Sequence, residues 1–134
     1  MRADLATYLT EHRDRILICD GGMGSCLLKA GLSYRDYGGH PGCHEYLNIS
    51  RRDVVARIHR DYFAAGAQLV ETNSFGGAAH ILAGHGLSDR CAEINKAAAS
   101  IARKVADECS RPDAPCFVAG SMGPGSKLPS LGQT

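Results

Sequence analysis

Apolar positions along the chain fall into two kinds of run. Three are short and unbroken: "RILIC" at 15–19, "AQLVETN" at 67–73 and "CFVAGS" at 116–121. Continuous rather than alternating apolar residues predict strands covered on both faces. Two runs are longer and keep the helical period. One carries Val54, Ile58 and Tyr62 on a stripe, with Val55 and Phe63 at its margin. The other spans 88–109 and presents Ile94, Ala98, Ile101 and Val105, with Pro112 and Pro115 closing it. Ser50 is the expected N-cap of the first long helix, with Asp53 three residues on and Ile49 stapled to Val54. Gly66 is its expected stop. A short amphipathic helix is predicted over 4–13, where Leu5 and Leu9 stand one turn apart beside Tyr8. One or two further turns are predicted in "SCLLKAGL", ended by Gly31, and a polar, glycine-rich loop in "SYRDYGGHPGCHEY".

The order is strand, helix, strand, helix, strand. Such alternation predicts an α/β fold with parallel strands and right-handed crossovers. Doubly wound sheets and (β/α)₈ barrels both begin this way. A closed barrel takes about 250 residues, and this chain has 134. The order therefore matches a partly built barrel treated as one unit, 1–134.

Composition narrows the partners. The chain is 44% hydrophobic and 22% charged, with a net charge of +1 and no basic run longer than Arg51-Arg52. That gives no electrostatic footprint for nucleic acid. No stretch approaches the roughly 20 apolar residues of a membrane span, and the N-terminus lacks a signal-type apolar core. A cytoplasmic location is expected. The six cysteines form no CxxC pair, which fits buried free thiols in a reducing compartment.

The candidate chemistry sits where the strands end. In parallel α/β folds the carboxyl ends of the strands form the functional face. Here those ends read Asp20-Gly21-Gly22, Glu71-Thr72-Asn73 and Gly120-Ser121-Met122. Glycines let a ligand approach the backbone and leave N–H donors for an anion. If the segment after them starts a helix, its N-terminus adds favourable potential. A phosphate would be repelled by Asp20 beside those donors. An α-amino acid suits the set, with its carboxylate on the N–H groups and its ammonium on an acid. The dinucleotide pattern GxGxxG also fails, because Leu27 stands at its third glycine. Plainer roles remain open from the local pattern. The glycines make a tight turn and Asp20 caps a helix; Glu71 forms an ion pair; Thr72 is a strand residue; Asn73 caps; Ser121 is a turn residue. His40, Cys43 and His44 lie close together in "GHPGCHEY", but their spacing matches no standard zinc pattern, and no residue is assigned as a metal ligand.

Four blocks, taken together, resemble one family. "ILICDGGMGS", "RRDVVARIHRDYFAAGAQLVETNSFGG", "AEINKAAASIARKVADE" and "FVAGSMGPGSKLPSL" follow in the order of the homocysteine S-methyltransferases. They are most similar to the homocysteine-binding module of the cobalamin-dependent methionine synthase branch. The resemblance implies a (β/α)₈ TIM barrel of which this chain holds the first three strands. It implies methyl transfer to the homocysteine thiolate, giving methionine. Asp20, Gly21 and Gly22 would hold the amino-acid end, Thr72 and Asn73 would line the same mouth, and Ser121 lies on the third strand end; Glu71 joins the substrate-binding candidates from its place at the second strand end. The family's zinc takes three cysteines, two of them adjacent. No adjacent pair occurs here, so the zinc site is expected outside this chain. Cobalamin is expected on other modules. The chain alone is expected to be nearly inactive, as a fragment that needs the remaining barrel and the methyl-donor modules. The alternative is a non-catalytic amino-acid-binding or assembly module that needs a partner to complete its barrel. A third possibility is another barrel enzyme with Asp20 or Glu71 as general base.

Overall fold

The computed structural model describes residues 2–127 and 129–133. Its helices are α1 (Leu5–Glu11), α2 (Met23–Lys29), α3 (Leu47–Ser50), α4 (Arg52–Ala64), α5 (Ala79–Leu82) and α6 (Cys91–Cys109). Its strands are β1 (Leu69–Glu71) and β2 (Phe117–Ala119). They pair in parallel with Leu69 opposite Phe117 and Glu71 opposite Ala119. Of the C-terminal loop expected from the sequence, Leu128 and Thr134 lie outside the described residues, and Pro129–Leu131 make one 3₁₀ turn.

The first expected strand is a correction. Instead of a full strand, 15–19 contributes a single parallel bridge between Cys19 and Leu69. The Ile18 carbonyl accepts from Gln68 and Leu69 N–H, and Asp20 N–H donates to the Leu69 carbonyl at 2.9 Å. The spatial order is thus the Cys19 segment, β1, β2, with sequential neighbours paired in parallel. Burial on both faces was also expected for this run. Ile16 is instead 87% exposed and Ile18 55% exposed, whereas Val70 at the centre of β1 is fully buried. The run sits at the edge of the layer, bonded on one side, with its isoleucines left largely exposed.

Helices α4 and α6 cover the strands. The buried face of α6 is Ile94, Ala97, Ala98, Ile101, Ala102, Val105 and Ala106. Its four alanines allow close packing against α4, which buries Val54, Val55, Ile58 and His59. Leu27 and Leu47 complete this core with Val54, Val55, Ile58 and Ile101. Each large aliphatic side chain buried there contributes about 1.5–3 kcal/mol. A second cluster of Cys43, Leu82, Leu87 and Ile94 fixes the long connection between β1 and α6. That connection contains α5, a single turn between glycines with no periodic signal in the sequence.

The start of α4 differs from expectation. Arg51, not Ser50, stands at its N-cap, and no side chain caps it. Ser50 ends α3, and its hydroxyl donates to the Asp36 carbonyl. Arg51 reaches both Asp36 (2.8 Å) and Asp53 (2.9 Å), tying the 33–37 turn to the first turn of α4. Gly66 does end the helix, at φ +108°, a conformation that residues with a Cβ rarely adopt.

Candidate active site

A cavity of about 460 Å³ opens beyond the carboxyl ends of the Cys19 segment, β1 and β2. All seven residues selected from the sequence lie on its wall: Asp20, Gly21, Gly22, Glu71, Thr72, Asn73 and Ser121. The chain brings them together because parallel neighbours end on the same side.

Asp20 faces β1 rather than α2. Its Oδ2 accepts the Glu71 N–H at 3.0 Å, and the Cys19 thiol lies 3.6 Å from Oδ1. Burial pushes its carboxyl above the ordinary range, and the charge of Glu71 adds to this, against the lowering effect of the Glu71 N–H. Burial, then the charges of Asp20 and Glu71, raise the Cys19 thiol as well. Glu71 itself is exposed. The site is therefore acid-rich, with Glu45 a third carboxylate on the wall.

The glycine turn faces the acids. Among the described residues, no protein oxygen accepts from the N–H of Gly21 or Gly22. The Gly22 carbonyl is occupied: Tyr62 Oη donates to it at 3.0 Å and Ser25 Oγ at 3.2 Å. Tyr62 also meets Cys26 Sγ at 3.5 Å. This contact, burial and the nearby negative charges push the phenol up to about 12, so it keeps its proton.

The β1 and β2 ends are locked by hydroxyls. Ser121 N–H donates to Thr72 Oγ1 at 3.0 Å, Thr72 and Ser74 hydroxyls meet at 2.6 Å, and Ser74 donates to the Ser121 carbonyl at 2.8 Å. Since Ser74 spends its proton on Ser121, Thr72 donates to Ser74. The ring closes with every hydroxyl proton spent. Asn73 is likewise engaged: Nδ2 donates to the His44 carbonyl (2.9 Å) and to Asn48 Oδ1 (3.2 Å), and Asn48 Nδ2 donates back to the Asn73 carbonyl (2.7 Å). Thr72 and Asn73 are nearly buried.

Several wall residues escaped the sequence analysis. Ser74 carried no signal apart from its place after "ETN". Glu45 accepts the Gly76 N–H at 2.6 Å and reaches the wall from a loop remote in sequence. His44 was weighed only with His40 and Cys43 as a metal cluster. The fold separates that trio. His40 Nδ1 bonds to the His85 carbonyl at 2.8 Å, Cys43 is in the second core cluster, and His44 faces the cavity against Gly24. A Cβ on Gly24 would come within 3.3 Å of the His44 ring, a close approach that only glycine accommodates without displacing a neighbour.

Among the described residues one group gathers three side chains of ligating type, Cys19, Asp20 and Glu71, with one ligand atom from each within 4.8 Å of the others. One thiol held protonated beside two carboxylates does not fit the sulfur-rich zinc centre that the resemblance implies.

A sequence model of the family described as homocysteine S-methyltransferase matches residues 17–134. The chain belongs to that family. Two relatives are the methionine synthases of Mycobacterium tuberculosis, 46% identical over 98% of this chain, and of Mycobacterium leprae, 48% identical over 90%. The chain spans about a tenth of their length, 11% and 10%. Among solved structures, the homocysteine methyltransferase MmuM of Escherichia coli superposes with a TM-score of 0.70 in its oxidized form. It is 27% identical, over 87% of this chain and 40% of that one. Its metallated form superposes equally well. The homocysteine S-methyltransferase match includes the Asp20 turn and the ends of β1 and β2, so every wall residue named here lies inside it. No described helix is long and apolar enough to cross a membrane.

Proposed function

We propose that this chain forms the homocysteine-binding wall of an S-methyltransferase, presenting the thiol for methylation to methionine. One observation carries the reading: half-buried Asp20, exposed Glu71 and the Gly21–Gly22 turn, whose N–H groups have no acceptor among the described residues, line one cavity at the strand ends. The acids attract the ammonium, and the amides donate to the carboxylate. A charged hydrogen bond of this kind contributes about 1.5–3 kcal/mol. Thr72, Asn73 and Ser121 shape the wall through the bonds that lock them, with the Thr72 hydroxyl and Asn73 amide protons already spent.

The same acids act against thiol ionisation. A free thiol has a pKa of about 8.5, and neighbouring carboxylates raise it further. The chain's own residues therefore bind and orient homocysteine and leave its thiol protonated. Since the chain matches about a tenth of each methionine synthase, we assign thiol activation, zinc, cobalamin and the methyl donor to parts that it does not match. We place the (β/α)₈ barrel in the complete protein and the chain in the cytoplasm.

Titration calorimetry of the chain with L-homocysteine tests this. Asp20→Asn is expected to weaken binding by roughly ten- to a hundredfold. Equal affinity of wild type and variant, or no binding by wild type, would refute the reading. The same titration with a phosphorylated ligand is expected to give no heat.

A further inference from the structure

The glycine turn has no side chain with which to hold its own shape. Gly21 and Gly22 make no backbone N–H bond to the described protein, and Gly22, at φ −60° and ψ 120°, has no side-chain cap. What fixes the turn is bonding to the Gly22 carbonyl. Ser25 Oγ, one of the two donors, rides on the same helix as the turn and moves with it. Tyr62 comes from α4, which is anchored in the main core through Val54, Val55 and Ile58. Its hydroxyl, 3.0 Å from the Gly22 oxygen, ties the turn to that core. The ring also backs Gly21, where a Cβ would come within 3.2 Å of the Tyr62 oxygen.

A trans peptide holds its C=O and N–H in opposite directions. With the Gly22 carbonyl pinned toward Tyr62, the Met23 N–H is aimed the other way. Gly22 and Met23 both line the cavity, whereas Tyr62 lies outside its wall. We infer that Tyr62 is a positioning residue for ligand carboxylate binding. Its bond to the Gly22 carbonyl sets the orientation of the Gly22–Met23 peptide, and so of the Met23 N–H donor, without contact with the ligand. This rests on the function proposed above and extends it to a residue on the far side of the turn.

The effect is specific to one end of the ligand. Asp20 and Glu71 are held by β1 and do not depend on Tyr62. Loss of the hydroxyl therefore weakens recognition of the carboxylate and leaves that of the ammonium. Calorimetry with Tyr62→Phe, Cys26→Ala and wild type reads this directly, using L-homocysteine and its decarboxylated analogue aminopropanethiol. Tyr62→Phe is expected to bind homocysteine about three- to tenfold more weakly, the effect of one hydrogen bond. It is expected to bind aminopropanethiol as wild type does. Cys26→Ala, which keeps the bond to Gly22, is expected to match wild type with both ligands. Shifted backbone amide resonances at Gly22 and Met23 in Tyr62→Phe, with far-UV circular dichroism unchanged, are the matching structural readout.

Unchanged homocysteine affinity in Tyr62→Phe would overturn the inference while leaving the proposed function standing. So would equal weakening for both ligands, or an equal loss in Cys26→Ala, because each would mean general disruption of the α2–α4 packing. No homocysteine binding by wild type would overturn the function and, with it, the role of Tyr62.

Discussion

His59 is fully buried on α4, and neither ring nitrogen has a hydrogen-bond partner among the described residues. A buried polar atom without a partner costs roughly 1–3 kcal/mol, so replacing the ring by an apolar group of similar size removes a penalty. We expect His59→Phe and His59→Leu to stabilise the chain by about 1–2 kcal/mol near neutral pH, after some loss to imperfect packing. Burial lowers the imidazole from 6.5 to about 4. Between those values the unfolded chain takes up a proton that the folded chain refuses. Stability therefore rises with pH across the window and is lost on acidification, by about 1.4 kcal/mol per pH unit. At about pH 5 the wild type should have lost roughly 2 kcal/mol through this group, a loss the variants escape. Urea unfolding followed by circular dichroism, near pH 7 and about pH 5, measures both effects. The reasoning is refuted if the variants are less stable than wild type near neutrality and share its pH slope.

Three further outcomes are expected. Homocysteine affinity should fall as the solution is acidified through the Asp20 pKa, which burial has raised above 3.8. The carboxylate is needed to hold the ammonium, so Asp20→Asn should bind weakly and without that dependence. Calorimetry across the acid range checks it. Ser74→Ala opens the hydroxyl ring at the ends of β1 and β2 and should cost about 1–2 kcal/mol. Amide exchange at Ser121 should become faster, and unchanged exchange would show that the ring does not hold the loop. The Arg51 guanidinium, followed by the Ser33 N–H and hydroxyl, holds Asp36 down at about 2. Its stabilising effect is complete above 3.8 and fades as pH falls toward 2. Asp36→Asn should flatten acid unfolding across that interval in a circular dichroism titration.

Much of the fold was legible where one local pattern had one solution. Ile94, Ala98, Ile101 and Val105 recur at the helical period, and all four are buried on α6. β1 and β2 fall inside the apolar runs that predicted them. The errors came where two local signals competed. Ser50 carries a good capping signature for α4, yet its hydroxyl is taken by the Asp36 carbonyl, brought beside it by the 33–37 turn. α5 has only one turn between glycines, too short for periodicity to register. The site shows the same division. Asp20, Glu71 and Ser121 were legible because each stands at the end of an apolar run. Glu45, Ser74 and Tyr62 were not, since their roles depend on partners 31, 47 and 40 residues away along the chain.

Sequence alone determined that three apolar runs end in polar or glycine residues and that helical runs separate them. Parallel order follows from that alternation, since a strand that returns through a helix enters the layer in the same direction. Only the tertiary structure decided which atoms stay available. It turned Asp20 onto the Glu71 amide, spent the hydroxyl protons of Thr72 and Ser74 inside a ring, and left the Gly21 and Gly22 amides without an acceptor among the described residues. A hydrogen bond is fixed by positions within about 3 Å. Spacing along the chain does not encode such positions until distant segments have packed.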